Sequence, residues 1–239
     1  MKYLDLTFAD PAENLACDEA LLSWFEARRT EDSLLRIWQA ESYFVVLGHS
    51  NKLKSEVHRS GCAAAGIPVQ RRISGGGAVV QGPGCLNYSL ILNTEVVSLR
   101  SVSETFHHVL QRHQKVIEKL KGAEVRIEGI SDLTIAGRKF SGNAQYRRRV
   151  HSLVHGTFLL NFDLPLIERC LQMPARQPEY RRNRPHAEFI ANLQIDARRV
   201  RAGLIETWDA KQEFAEVPCA AIDELARAQY RRSDWLEKF

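Results

Sequence analysis

No run in this 239-residue chain approaches the ~18 consecutive apolar residues of a membrane span. The N-terminus meets Asp5 and Asp10 before any apolar h-region can form, so a secretory leader is not expected and the cytoplasm is the expected compartment. Cysteine is scarce: Cys17, Cys62, Cys85, Cys170 and Cys219 are odd in number, widely spaced and never in a CxxC pair. That excludes a good disulfide framework or zinc site and leaves reduced thiols as the plain reading. Long Gly/Ser linkers, internal repeats and low-complexity tracts are missing too. Lysine is sparse, with only nine among 33 basic residues, so 24 are arginine.

What is present is an ordinary core-forming composition, 44% hydrophobic and 26% charged, which excludes a disordered chain. Arginine's planar fork suits carboxylates and phosphates, and it clusters at Arg147, Arg148, Arg149 and at Arg181, Arg182, Arg184. These clusters read either as solvated basic faces or as a surface for an acidic macromolecule. No helix-turn-helix, zinc-finger or RNA-recognition signature accompanies them, so nucleic acid is not expected.

Asp10, Pro11 and Glu13 give a helix start, and Leu15, Ala16, Ala20, Leu21, Leu22, Trp24 and Phe25 supply its apolar face over 10–29. A second amphipathic helix is expected over 102–121, stopped at Gly122. Strands are expected at 33–38, 43–48, 68–73, 77–81, 87–93, 124–128, 132–136 and 153–162, and helices near 165–173, 196–210 and 219–230. Without strict βα alternation this is an α+β fold with a mixed, largely antiparallel sheet flanked by helices. One domain over 1–239 is expected, with a helical C-terminal segment from about 195; the Pro/Arg-rich stretch 174–185 is the sole candidate joint.

Three segments can carry chemistry. In Arg71-Arg72-Ile73-Ser74-Gly75-Gly76-Gly77-Ala78-Val79 the glycines expose backbone N–H groups on an open turn beside Arg72. That is an anion nest or merely a glycine-rich hairpin, and it is neither a Walker A loop nor a dinucleotide fingerprint. In Ser131-Asp132-Leu133-Thr134-Ile135-Ala136-Gly137-Arg138-Lys139 an acid precedes a lysine by seven residues, across a hairpin turn expected at Gly137. Such a lysine is an electrostatic clamp or an exposed turn residue. The third segment is His155-Gly156-Thr157, opening an apolar strand.

Together with NLACDEALL at 14–22, LRIWQAESYFVVLGHSN at 35–51 and CLNYSLIL at 85–92, these segments resemble the lipoate–protein ligases of the biotin/lipoate ligase superfamily. The resemblance runs from Asn14 to about Asn192. It implies a core like that of class II synthetases and biotin ligases, and a two-step reaction. Lipoate attacks the α-phosphate of ATP to give lipoyl-AMP, and a lysine of an acceptor domain then takes the acyl group.

By motif match, Arg72, Ser74, Gly75, Gly76, Gly77 and Ala78 line the mixed-anhydride and acyl tunnel. Asn87 and Asp132 hold nucleotide, with Asp132 sharing a Mg2+ ion, and Lys139 is the signature lysine. Gly142 and Ala144 follow it, while Trp38, Gly48, His155 and Gly156 wall the acyl pocket. The implied partner is an acidic lipoyl domain, of a 2-oxoacid dehydrogenase subunit or a glycine-cleavage H-like protein, with a separate accessory-domain subunit as a further candidate. The chain departs from the pattern at Gln81-Gly82, where His-Asp is usual, and at Ser131, where Asn is usual. The alternative within the superfamily is an ATP-independent octanoyl or lipoyl transferase using a cysteine thioester. Cys85 is its nearest candidate, Cys170 reads as an inert helix thiol, and the segment 127–135 holds no cysteine. The biotin-type GRGRxGR loop is missing, which disfavours a biotin ligase.

Overall fold

A computed structural model describes all residues 1–239. After β1 (Lys2–Asp5) comes α1 (Pro11–Arg28), capped by the Asp10 carboxylate, which accepts from the Ala12 N–H at 2.8 Å. Then follow β2 (Leu34–Trp38), β3 (Phe44–Leu47), α2 (Leu53–Glu56), α3 (Arg59–Ala64), β4 (Val69–Arg71), β5 (Val79–Gln81) and β6 (Cys85–Asn93). Helix α4 (Val102–Lys121) starts in a Ser101/Glu104 capping box and stops at Gly122, whose φ of 68° suits a residue without Cβ. Next are β7 (Arg126–Glu128), β8 (Asp132–Ile135), β9 (Arg138–Arg147), β10 (His151–Leu159), α5 (Pro165–Cys170) and a 3₁₀ turn (Glu179–Arg181). Helices α6 (His186–Phe189) and α7 (Ala197–Thr207), strand β11 (Gln212–Glu213), helix α8 (Cys219–Leu225) with a π-helical turn (Ala226–Tyr230), and α9 (Ser233–Leu236) close the chain. No helix is long and apolar enough to cross a membrane.

Eight strands form one sheet in the order β11-β1-β2-β6-β10-β9-β8-β7, antiparallel except where β1 runs parallel to β2 and β11. A second sheet has the order β4-β3-β5. Strand alternation sends Leu35, Ile37, Leu86, Tyr88, Val154 and Phe158 to one face, against α4 and α7. Fully buried Val109, Leu110 and Ile117 each contribute about 1.5–3 kcal/mol there. The other face packs on α1 and α8, and a third apolar cluster joins the small sheet to α5.

The expected α+β class with a largely antiparallel sheet is therefore what the chain adopts. Several elements depart from the sequence reading. The segments 68–73 and 77–81 do not form a hairpin: β4 and β5 lie on opposite sides of β3, so the glycine run crosses over the end of that strand. The stretch 39–42 carries the chain from the large sheet to the small one. The hairpin at Gly137 joins β8 to β9, but the length of β9, the strands β1 and β11, and the short helices α2, α3, α6 and α9 lie outside the sequence reading. The stretch 174–185 is no joint, because its 3₁₀ turn packs on the sheet and bonds into it.

Candidate active site

Antiparallel partners point to the same face, so the ladder registers place five side-chain positions in one row. Trp38 pairs with Asn87, Asn87 with Thr157, Thr157 with Gly142, and Gly142 with Asp132. At about 4.8 Å per strand this row crosses five strands. The next row holds Ser89, His155 and Ala144.

Lys139 joins the first row through a β-bulge. Asp132 pairs with Gly142 and Leu133 with Ser141, but Thr134 pairs with Lys139, so Phe140 is an extra residue. Phe140 turns into the core with Leu133, and the alternation is reset so that Lys139 faces the row. Its ammonium reaches Asp132 Oδ1 at 2.8 Å. It also passes over Gly142, where a Cβ would lie 2.7 Å from Nζ. The Lys139 backbone is pinned by the Ala191 N–H, which donates to its carbonyl at 2.9 Å. The second Asp132 oxygen accepts from the Tyr180 hydroxyl at 2.7 Å. Burial, and then the Asp132 charge, push the Tyr180 phenol upward, so it stays a donor.

The glycine run covers the second row. A Cβ on Gly76, whose φ is +91°, would lie 3.9 Å from the Ala144 methyl. Gly75 and Gly77 are exposed and have nothing within 4 Å of a Cβ position, so their backbone is open to a ligand. Arg72 braces this loop from inside: Nη2 donates to the Gly75 and Gly77 carbonyls at 2.6 and 2.9 Å, and Nε to Ser74 Oγ at 3.0 Å. Ser74 Oγ and His155 Nε2 share a 2.6 Å hydrogen bond. Burial, and then the nearby Arg72 charge, press His155 down to about 3, so it is neutral. Burial pulls Arg72 down to about 10. Its guanidinium has no carboxylate partner and is spent on carbonyls and Ser74, so it shapes the loop and supplies positive potential.

The far end of the first row is polar and incompletely matched. Gln81 Nε2 donates to Thr157 Oγ1 at 3.1 Å, and Thr157 Oγ1 donates to Asn87 Oδ1 at 2.6 Å. Trp38 Nε1, Asn87 Nδ2 and Gln81 Oε1 are buried without a protein partner. These three atoms are free to meet polar atoms of a ligand or of water.

The structure thus gathers Trp38, Gly48, Arg72, Ser74, Gly75, Gly76, Gly77, Asn87, Asp132, Lys139, Gly142, Ala144 and His155 about one face, with Ala78 continuing the loop into β5. Gly156 is not brought there. It faces the α4 layer, where a Cβ would lie 2.8 Å from Tyr88 Cε1. Gly48 acts as the bed of the loop, since a Cβ would fall 2.1 Å from the Gly76 carbonyl oxygen. Sequence reasoning missed Tyr180, hidden in an arginine-rich stretch; it named Thr157 and Gln81 but gave neither a place in the site. Cys85 lies two residues from Asn87 on the same strand, but it is fully buried in the third apolar cluster. Burial drives its thiol up to about 12. Cys170 is also fully buried, and no group of three or more His, Cys, Asp or Glu side chains is placed to hold a metal ion.

Comparison with known proteins bears on the fold and the family. Lipoate–protein ligase 1 of Staphylococcus aureus is 25% identical over 98% of this chain and 73% of its own length. Octanoyltransferase LipM of Exiguobacterium sibiricum is 28% identical over 95% of this chain and 94% of its own. The fold matches the bipartite lipoate protein ligase of Thermoplasma acidophilum with a TM-score of 0.81 at 24% identity, covering 98% of this chain and 94% of that one. A lipoate-protein ligase A bound with ATP superposes with a TM-score of 0.79 at 23% identity, covering 98% and 97%. Residues 10–202 match the lipoyl protein ligase A/B catalytic domain, and the chain belongs to that family.

Proposed function

We propose that this chain is an ATP-dependent lipoate–protein ligase whose residues 1–239 act as one catalytic domain. The carrying observation is the Lys139 ammonium, re-aimed by a bulge and laid across Gly142 beside the open glycine run. Adenylation gathers negative charge at the α-phosphate as the lipoate carboxylate attacks and pyrophosphate leaves. Acyl transfer then gathers it on the acyl oxygen as the acceptor lysine attacks and AMP leaves. One fixed ammonium and the exposed amides of Gly75–Gly77 serve both steps. Arg72 and Ser74 hold the loop in that pose, and Trp38, Ala144 and His155 wall the acyl chain. Asn87 offers its free amide to substrate.

Mg2+ would be held by the single carboxylate of Asp132, whose oxygens here meet Lys139 and Tyr180, together with nucleotide phosphate oxygens. When bound it neutralises phosphate charge. Asp132 itself orients Lys139 and is held by Tyr180. The acceptor is proposed to be an acidic lipoyl domain, drawn by the exposed members of the two arginine clusters, Arg148, Arg149 and Arg182; Arg147, Arg181 and Arg184 are turned into bonds within the fold. In favour of this acceptor class, the Thermoplasma ligase is described together with an E2 lipoyl domain.

The second reading, an ATP-independent octanoyltransferase, rests on the similarity to LipM along nearly that protein's whole length. Against it stands the chemistry of Cys85, a deeply buried thiol held protonated by its surroundings. Intact-mass analysis of a lipoyl domain separates the two. A lipoyl mass gain that requires ATP and Mg2+ supports the ligase. A gain from octanoylated carrier protein without nucleotide supports the transferase.

A further inference from the structure

Arg71, the last residue of β4, is fully buried and has no carboxylate partner. Its guanidinium is surrounded by main-chain carbonyls from two distant segments. Nη1 donates to Gly48, His49 and Asn51 at 3.0, 2.8 and 2.8 Å. Nε donates to Trp235 and Leu236 at 3.0 and 3.1 Å, and Nη2 to Leu236 at 2.6 Å. The last two acceptors belong to the final turn of α9, where carbonyls lack intrahelical donors and a cation is favoured. The Trp235 indole returns a bond from Nε1 to the Arg71 carbonyl at 2.9 Å. The rings of Trp235 and Phe239 lie 5.6 and 5.5 Å from that of His49.

The segment so clamped, 48–51, is the one on which the glycine run rests. The His49 N–H donates to the Ser74 carbonyl at 2.8 Å, and Gly48 lies against the Gly76 carbonyl. Because Gly75, Gly76 and Gly77 have no side chains, this loop is placed by main-chain contacts, by Arg72 and by the Ser74–His155 bond at its start. Its outer support therefore runs from Gly48 and His49 through Arg71 to α9. Lysine cannot substitute for Arg71, since a single ammonium has three donors and no fork.

We infer that Arg71 and the 233–239 turn are positioning elements of the substrate loop, setting affinity for the acid and nucleotide without touching either. This rests on the ligase reading for its kinetic readout, but not for its structural one. The test compares the full chain with a form ending at Arg232, with Trp235→Ala and with Trp235→Phe. It measures amide hydrogen exchange along the chain, and KM for lipoate and ATP separately from kcat with a lipoyl acceptor domain. The expected result for the shortened form and for Trp235→Ala is exchange about tenfold faster or more at 74–78. KM is expected to rise about tenfold with kcat changed less than about threefold, because the shortened form loses the charge-assisted bonds from Arg71 to the Trp235 and Leu236 carbonyls and Trp235→Ala loses the indole bond to the Arg71 carbonyl and the ring against His49. Trp235→Phe keeps a ring against His49 and falls between. Unchanged exchange at 74–78 with unchanged KM overturns the inference, and so does protection lost evenly over the whole sheet in Trp235→Ala. An intact chain that ligates nothing removes the ligase reading, while the exchange data still decide this one.

Discussion

Lys139 and Gly142 stand three residues apart on one strand, and the ammonium of the first occupies the space that a side chain on the second would fill. In regular alternation the two positions face opposite sides of a sheet. The extra residue Phe140 brings them together, and Asp132 on the neighbouring strand then fixes the lysine at 2.8 Å. A polar strand, one bulge and one missing Cβ thus convert an unremarkable turn lysine into an aimed charge.

Lys139→Ala is expected to lower kcat/KM for acyl transfer to the acceptor by at least about 10²- to 10³-fold, the scale of losing one preorganised group that meets developing charge. The side chain is 27% exposed and its partner Asp132 keeps the Tyr180 hydroxyl, so the fold should survive with Tm lowered by no more than about 2–4 °C. Near-normal turnover of the folded variant would remove Lys139 from the chemistry.

Gly142→Ala tests the aim instead of the charge. A Cβ would meet Nζ at 2.7 Å and Cε at 2.8 Å, both at the far end of a flexible side chain, so the lysine gives way and the strand does not. Stability should change by less than about 1 kcal/mol. The displaced ammonium should cost about ten- to hundredfold in kcat, because misplacement by an ångström suffices for that. Turnover equal to the parent would mean the observed pose is not the working one.

The elements written in local chemistry were legible. Asp10-Pro11 and Gly122 mark helix ends by hydrogen bonding and backbone freedom, and α1 and α4 carry their apolar stripes openly. The site motifs were legible as residue types. Their arrangement was not. Arg138–Arg147 reads as loop because a strand of charged, small and amide side chains lacks apolar alternation, yet it forms two ladders. The glycine run looked like a hairpin turn because flanking strands say nothing about a third strand lying between them. Tyr180 and Arg71 act through contacts 48 to 165 residues away in sequence, which no local pattern encodes.

Cys85→Ser separates the two enzymatic readings. The new hydroxyl would be buried in an apolar cluster, so a loss of about 1–2 kcal/mol is expected. ATP-dependent ligation per folded molecule should persist, and iodoacetamide at neutral pH should leave Cys85 of the parent unmodified while the protein is native. Abolished activity together with an acyl-thioester trapped on the parent would transfer the assignment to the octanoyltransferase.

Acid should destabilise this protein earlier than carboxylate titration alone would. His155, buried against Arg72 and Ser74, and His113, buried beside Trp208, are each held down to about 3, by burial first and by a neighbouring arginine second. In the unfolded chain both titrate near 6.5. Above that value neither state binds a proton, and the contribution to stability is fully present. Between about 6.5 and 3 the unfolded chain binds protons that the folded one refuses. Stability therefore falls as pH drops, by up to about 1.4 kcal/mol per pH unit for each histidine. Urea midpoints should be level from about pH 7.5 to 7 and decline steadily from about pH 6.5 to 5, before most carboxylates protonate. His155→Gln should shallow that decline by about half while keeping a hydrogen-bonding group toward Ser74. A midpoint constant down to pH 5 in the parent would mean that both imidazoles accept a proton in place, and the neutral Ser74–His155 contact would have to be redrawn as an ionic one.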